Sequence, residues 1–181
     1  MHVFLDFEAS SLGKTSYPIE VAWVFEDGRG EAHLIRPAEG WTDWDARAEA
    51  IHHIPQAALQ RDGSPVEVVA ARMIAVLTGH DLYASAPSWD GKWLSTLLRA
   101  ARLPRHSLRL RDTEEAQRAA AAAVLRGHVD GHRLAQKVEE ALVLAGVRER
   151  GQPAHRALAD AREELARWRR VTAVAQDMVT A

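Results

Sequence analysis

The chain contains no cysteine, which excludes a disulfide framework, a thiolate metal site and a cysteine nucleophile together. Any metal must therefore sit on oxygen or imidazole. No basic N-terminal segment precedes a long apolar run: the chain opens MHVFLDFEAS, and no stretch approaches the roughly 18 apolar residues of a membrane span. The expectation is a soluble, unexported protein, cytoplasmic in keeping with the missing thiols. Excess positive charge is also lacking. A formal net charge of −2 speaks against a protein that grips long duplexes by neutralising many phosphates. Repeats, linkers and low-complexity tails are absent. With 181 residues, 47% of them hydrophobic, the reading is one domain over residues 1–181.

What the sequence does hold begins with alternation. Val3, Leu5 and Phe7 alternate with Phe4, Asp6 and Glu8, the period of two that marks a strand and sends Asp6 and Glu8 to one face. Residues 19–26 repeat the pattern, Asp27-Gly28 supplies turn chemistry, and 31–36 can return as a partner strand. Short helical patches around Asp45–Ala50 and Pro55–Leu59 flank His52-His53-Ile54. Pro65 to Leu77 carries apolar residues at helical spacing, with Gly79 as a stop. Asp81–Ala86 reads as a buried strand, Ser88 to Ala101 as a helix on Trp93, Leu94, Leu97 and Leu98, and Leu108–Leu110 as a further strand. Asp112 with Glu115 caps an alanine-rich helix ending near Gly127. Helices over His132–Ala145 and Ala157–Val174 flank the loop Gly151-Gln152-Pro153. An antiparallel meander followed by alternating strands and helices gives an α/β mixed sheet covered by helices.

Two carboxylates at i and i+2 on a covered strand repel each other in low dielectric and call for a cation. Hard divalent ions such as Mg²⁺ and Mn²⁺ suit carboxylate oxygens; a strand end reaching solvent is the simpler alternative. The second group is His155-Arg-Ala-Leu-Ala-Asp160. A five-residue step within a helix turns about 500°, leaving the two side chains roughly 140° apart. Both reach one site only if His155 lies before or at the helix start. Glu163 and Glu164 follow on the face of Asp160, where a solvated helical surface accounts for them.

Taken in order, Asp6-Phe-Glu8-Ala9-Ser10, then Ser88-Trp89-Asp90 with Trp93-Leu94, then His155-Arg-Ala-Leu-Ala-Asp160 resemble the three exonuclease motifs of the DEDDh family of 3′→5′ exonucleases. That family includes the proofreading subunit of bacterial DNA polymerase III, oligoribonuclease and ribonuclease T. The resemblance spans residues 3–170. It implies a ribonuclease H-like five-stranded mixed sheet, three antiparallel strands followed by parallel ones, flanked by helices. The activity it implies is phosphodiester hydrolysis at the 3′ end of single-stranded DNA or RNA. Asp6, Glu8 and Asp160 would hold one divalent cation, Asp6 would also touch a second, Asp90 would contribute directly or through water, and His155 would be the general base. Two cations stabilise both the attacking and the leaving oxygen, and an imidazole can take the water's proton at neutral pH.

The resemblance further places the backbone of Ala9 and the side chain of Ser10 near the substrate's terminal sugar. Trp89 lies beside the strand end, and His53, in a segment similar to the family's His-Gly-Ile, faces the substrate. Two departures stand out. Ala86-Pro87-Ser88-Trp89 replaces the frequent Asn-Ala-x-Phe, and Ala9 replaces a frequent threonine; neither removes a metal ligand. Trp41 and Trp44 are available for stacking on bases or for burial. Arg99, Arg102, Arg105, Arg109 and Arg111 fall in an acid-free stretch open to three readings: nucleic-acid contact, a partner surface, or a solvated basic face. Several small relatives pair, which makes a homodimer one expected arrangement. The rival reading from another class is a non-catalytic nucleic-acid-binding or adaptor module of the same fold, and a phosphohydrolase of small phosphodiesters is a third.

Overall fold

Alternation in the first residues does what a period of two should. In the computed structural model, which describes residues 1–147 and 155–180, β1 (His2–Ala9) sends Val3, Leu5, Phe7 and Ala9 to one apolar cluster and Phe4 to another. The strand therefore has helices on both sides. It pairs antiparallel with β2 (Pro18–Phe25), which pairs antiparallel with β3 (Gly30–Leu34). Every residue of β2 is buried, as expected of a strand covered on both faces. Gly28, at φ 95°, closes the β2–β3 turn. The parallel strands β4 (Asp81–Ala84) and β5 (Leu110–Asp112) complete a five-stranded sheet in the order β3-β2-β1-β4-β5. The expected mixed α/β sheet is observed.

Between β3 and β4 the chain forms α1 (Ala46–His52), α2 (Gln56–Asp62) and α3 (Val66–Leu77). With α4 (Pro87–Ala100), α3 covers the face made by Val3, Leu5 and Phe7, contributing Val69, Met73, Trp93, Leu94, Leu97 and Leu98. The opposite face is covered by α5 (Thr113–Leu125) and α7 (Ala157–Thr180), where Ala116, Ala161 and Leu165 meet Phe4, Val24 and Tyr83. Asp6 and Glu8 share the parity of Phe4 and so point toward α7. Leu134–Val147 forms α6 after a short 3₁₀ turn.

Some boundaries differ from the sequence expectation. The fourth strand ends at Ala84, two residues early, because Ser85 and Ala86 are exposed and lead directly into α4. The fifth strand is Leu110–Asp112 and not Leu108–Leu110: Leu108 is buried in the core, but the turn at Pro104–Ser107 delays pairing until Leu82 meets Leu110. Asp112 caps α5 by accepting from the Glu114 N–H at 2.9 Å, whereas Glu115 turns away to Arg111 at 3.0 Å. Helix α7 runs on to Thr180 because Val171, Val174 and Ala175 pack against Leu125, Val138 and Ala141. The expected loop at Gly151-Gln152-Pro153 lies outside the described residues. Among those described, no helix is long and apolar enough to cross a membrane.

Candidate active site

The register that builds β1 also builds the site. Asp6 lies opposite Ala22 and Glu8 opposite Glu20, and the pairing shifts between Glu8 and Ala9, ending the regular ladder at the acids. Helix α7 crosses this end of the strand and lowers Asp160, from its first turn, onto the same face. One carboxylate oxygen from each of Asp6, Glu8 and Asp160 then lies within 4.8 Å of the others. Asp90 arrives from α4. It is 2% exposed, and its Oδ2 accepts the Ala86 N–H at 3.3 Å.

Burial and mutual repulsion govern these acids. The Asp6 carboxyl is held well above the usual carboxylate range, by burial first and then by Asp90, Glu8, Asp160 and Glu164. Burial, with Asp160 and Glu20 adding to it, pushes Glu8 up to about 8. Asp90 rises to about 7, burial outweighing the backbone N–H groups that stabilise its charge. Buried acids that repel one another form an expensive arrangement, and a positive ion among them would relieve it. All the donors are hard oxygens, which fits Mg²⁺ or Mn²⁺ and disfavours soft metals.

His155 sits where the spacing demands, outside the helix. It is exposed, its φ is 50°, and α7 begins two residues later. The start of α7 is fixed by a residue that sequence reasoning missed. Glu20, 3% exposed on β2, accepts the Ala157 N–H at 3.0 Å and Arg156 Nε and Nη2 at 3.1 and 2.7 Å. A carboxylate on otherwise unsatisfied N–H groups suits a helix N-terminus. The only signal in the sequence was an acid inside the apolar run of β2. Glu163 behaves as expected of a solvated face, pairing with Arg170 at 2.7 Å. Glu164 does not: its side chain is only 12% exposed, and its charge acts on both Asp6 and Asp90. Docking of α7 turned it inward.

Of the expected substrate residues, Ala9 and Trp89 adjoin Glu8 and Asp90 in the chain. Ala9 is buried at the irregular strand end. Ser10 is fully buried, and its hydroxyl donates to Asp43 at 3.0 Å and accepts the Tyr17 N–H at 3.1 Å. Its side chain therefore shapes the loop after β1. Trp89, next to Asp90, is exposed, tilts against Trp93 with ring centres 5.7 Å apart, and carries Lys92 Nζ 5.0 Å above its ring. A cleft of about 360 Å³ separates Trp89, Ser88 and Lys92 from Leu12, Gly13 and Lys14. His53 is exposed and left-handed at φ 55°, while His52 is buried and accepts the Ile54 N–H through Nδ1 at 3.0 Å. The burial reading holds for the two tryptophans of the crossover: Trp41 stacks on Tyr17 at 5.1 Å, and Trp44 donates to Glu49 at 2.8 Å. Of the arginine run, Arg111 is taken by Glu115 and Asp81, and the other four are exposed.

No family model matches the sequence, and no curated protein matches it. Solved structures do. The zinc-bound form of Escherichia coli exonuclease I with single-stranded DNA superposes with a TM-score of 0.67 at 17% identity, over 99% of this chain and 41% of that one. Exonuclease I in a product-bound structure gives 0.64 at 17% identity, over 99% and 46%. The enzyme from Methylocaldum szegediense gives 0.61 at 20% identity, over 92% and 39%. The fold is thus similar to that of part of exonuclease I, a five-stranded mixed sheet flanked by helices. The chain spans about two fifths of the length of the first of these structures.

Proposed function

We propose that this chain is one 3′→5′ exonuclease domain, residues 1–181, that hydrolyses single-stranded DNA or RNA from the 3′ end in the cytoplasm. The observation that carries the reading is the convergence of Asp6, Glu8 and Asp160 within 4.8 Å on a nuclease fold, with Asp90 close enough to Asp6 to perturb its ionisation. Asp6, Glu8, Asp90 and Asp160 would hold two divalent cations, Mg²⁺ or Mn²⁺. When bound, such ions stabilise charge on the attacking and leaving oxygens of a phosphodiester.

The chain's own groups supply the rest. His155, on a segment outside the helix, takes the proton of the attacking water as general base. Arg156 and Glu20 hold the helix start that presents Asp160. Trp89 offers an exposed face to a base, the backbone at Ala9 borders the terminal sugar, and Ser10 sets the loop that follows. His53 borders the same side of the site. The complexes of exonuclease I with single-stranded DNA support a single strand as the partner. Pairing of two copies remains part of the proposal through the four exposed arginines.

The test is incubation of 5′-labelled DNA and RNA oligonucleotides with Mg²⁺ or Mn²⁺, beside Asp6→Ala. A metal-dependent ladder lost in the variant is the expected result. Tight binding with no cutting by either protein would identify a non-catalytic binding module. A ladder that persists in Asp6→Ala would remove the site.

A further inference from the structure

The loop joining β1 to β2 is eight residues of mostly small and polar side chains, a composition that does not order itself. Yet it is held at both ends of its span. From the crossover segment, Asp43 receives three hydroxyls: Ser10 and Ser11 on Oδ2 at 3.0 and 2.5 Å, and Thr15 on Oδ1 at 3.3 Å. Two of these hydroxyls pass the order on, since Ser10 Oγ accepts the Tyr17 N–H at 3.1 Å and Ser11 Oγ accepts the Gly13 N–H at 2.9 Å. From α4, the helix that carries Asp90, Lys92 Nζ donates to the Gly13 carbonyl at 2.6 Å and to Ser16 Oγ at 2.8 Å.

The last residue of the loop, Tyr17, is anchored by its own burial against Trp41, and Ser16 accepts the Trp93 indole N–H at 3.1 Å. The tip is solvent-facing, with Leu12 71% exposed, so the bonds at Ser11, Gly13 and Thr15 order a segment that buries little apolar surface of its own. What they fix is one wall of the cleft whose other wall is Trp89 and Lys92. The hydroxyls of Ser11, Ser10 and Thr15 also keep the Asp43 carboxyl below its ordinary range, so the acceptor is ionised across the neutral range.

Resting on the exonuclease reading above, we infer that Asp43 is a positioning residue that holds the Ser10–Tyr17 loop as a preformed wall for the 3′-terminal nucleotides. Asp43 is not one of the clustered carboxylates; its bonds go to Ser10, Ser11 and Thr15. Its contribution is to binding: an unclamped loop must be ordered each time a strand end enters, which raises the substrate concentration required and leaves the chemical step intact.

The experiment compares wild type, Asp43→Ala and Asp43→Asn on a 5′-labelled single-stranded DNA octamer with Mn²⁺, reading KM and kcat separately. Direct binding of the same octamer is measured by fluorescence anisotropy without metal. The expected result for Asp43→Ala is a KM and a Kd raised about tenfold with kcat within about threefold of wild type. Asp43→Asn, whose amide oxygen still accepts the two serine hydroxyls, should recover most of the loss. Trypsin should also cut after Lys14 faster in the alanine variant. An unchanged KM and Kd, or a fall in kcat alone, overturns the inference. Should Asp43→Ala fail to fold, the double variant Ser11→Ala with Thr15→Val, which removes two of the three hydroxyls from Asp43, carries the same comparison, and a normal KM and Kd in it overturn the inference. If wild type binds the octamer without cutting it, the exonuclease reading fails while the Kd comparison still decides the clamp. If wild type neither binds nor cuts, both fall.

Discussion

Glu8 and Glu20 are direct cross-strand partners on β1 and β2, yet they serve opposite ends of one helix start. Glu8 joins Asp6 and Asp160, while Glu20 holds Arg156 and the Ala157 N–H. One acid faces the cluster on α7, and its neighbour fixes where α7 begins. Removing Glu20 should therefore displace Asp160 without touching it. Glu20→Ala is expected to lower stability by about 1–3 kcal/mol, the buried carboxylate's bonds counting fully and the half-exposed Arg156 only in part. Urea unfolding measures this, and Mn²⁺ affinity should fall with it. A variant of normal stability and normal affinity would show that the helix start holds itself.

Stability of the metal-free protein should fall as pH rises. Asp6, Glu8 and Asp90 all have folded pKa values raised above the unfolded ones, with Glu8 at about 8 and Asp90 at about 7, against roughly 4 for unfolded carboxyls. Between about pH 4 and pH 8 the native state therefore holds more protons than the unfolded state, and the balance shifts toward unfolding as alkali is added. Thermal melts in EDTA across that window give the test. A Tm that climbs steadily from pH 5 to pH 8 would contradict the assignment.

In the same terms Asp6→Asn should stabilise the metal-free protein, because a neutral amide removes the cost of either protonating Asp6 or keeping it charged beside Asp90, Glu8 and Asp160. The expected rise in Tm at pH 8 is roughly 3 °C or more, together with loss of Mn²⁺ binding and of hydrolysis. A metal-free variant less stable than wild type at pH 8 would mean that Asp6 has a compensating partner.

Cation binding should release protons, since raised carboxyls must ionise to become ligands. Calorimetric titration with Mn²⁺ at pH 6.5 in buffers of different ionisation enthalpy is expected to show release that declines toward pH 8.5. Identical heats in all buffers would place the metal elsewhere.

His155 is proposed as the general base and not as a metal ligand, so its loss should affect turnover and not cation binding. His155→Asn, which tolerates the left-handed backbone found at this position, should lower kcat by about 10²- to 10⁴-fold while leaving Mn²⁺ affinity near wild type. A variant that keeps most of its turnover would assign the proton transfer to another group.

Most of the sheet was readable because alternation in β1 and β2 is strong and the helical stripes of α3 and α4 are unambiguous. Asp6, Glu8 and Asp160 were readable as a set through motif order, and the position of His155 outside α7 followed from helix geometry once His155 and Asp160 were required to share one site. Glu20 was not readable in that way. A single acid in an apolar strand acquires meaning only when β2 is in register with β1 and the start of α7 lands beside it. Glu163 and Glu164 lie on nearly the same helical face, and only the docking of α7 decides which one turns in. Asp43 lies in an irregular segment with no periodicity to betray its role. The strand at Leu110–Asp112 was misplaced because Leu108 has the apolar character of a strand residue while serving as a core anchor ahead of it.

Helix α7 carries Asp160 in its first turn and, fourteen residues later, Val174 in the cluster formed with α5 and α6. At about 1.5 Å per residue these points are roughly 20 Å apart on one rigid rod. The rod makes the small-residue bundle the fulcrum of the acidic cluster: a cavity opened beneath Val174 would tilt the far end, and a loosened core would register first as a weakened grip on metal.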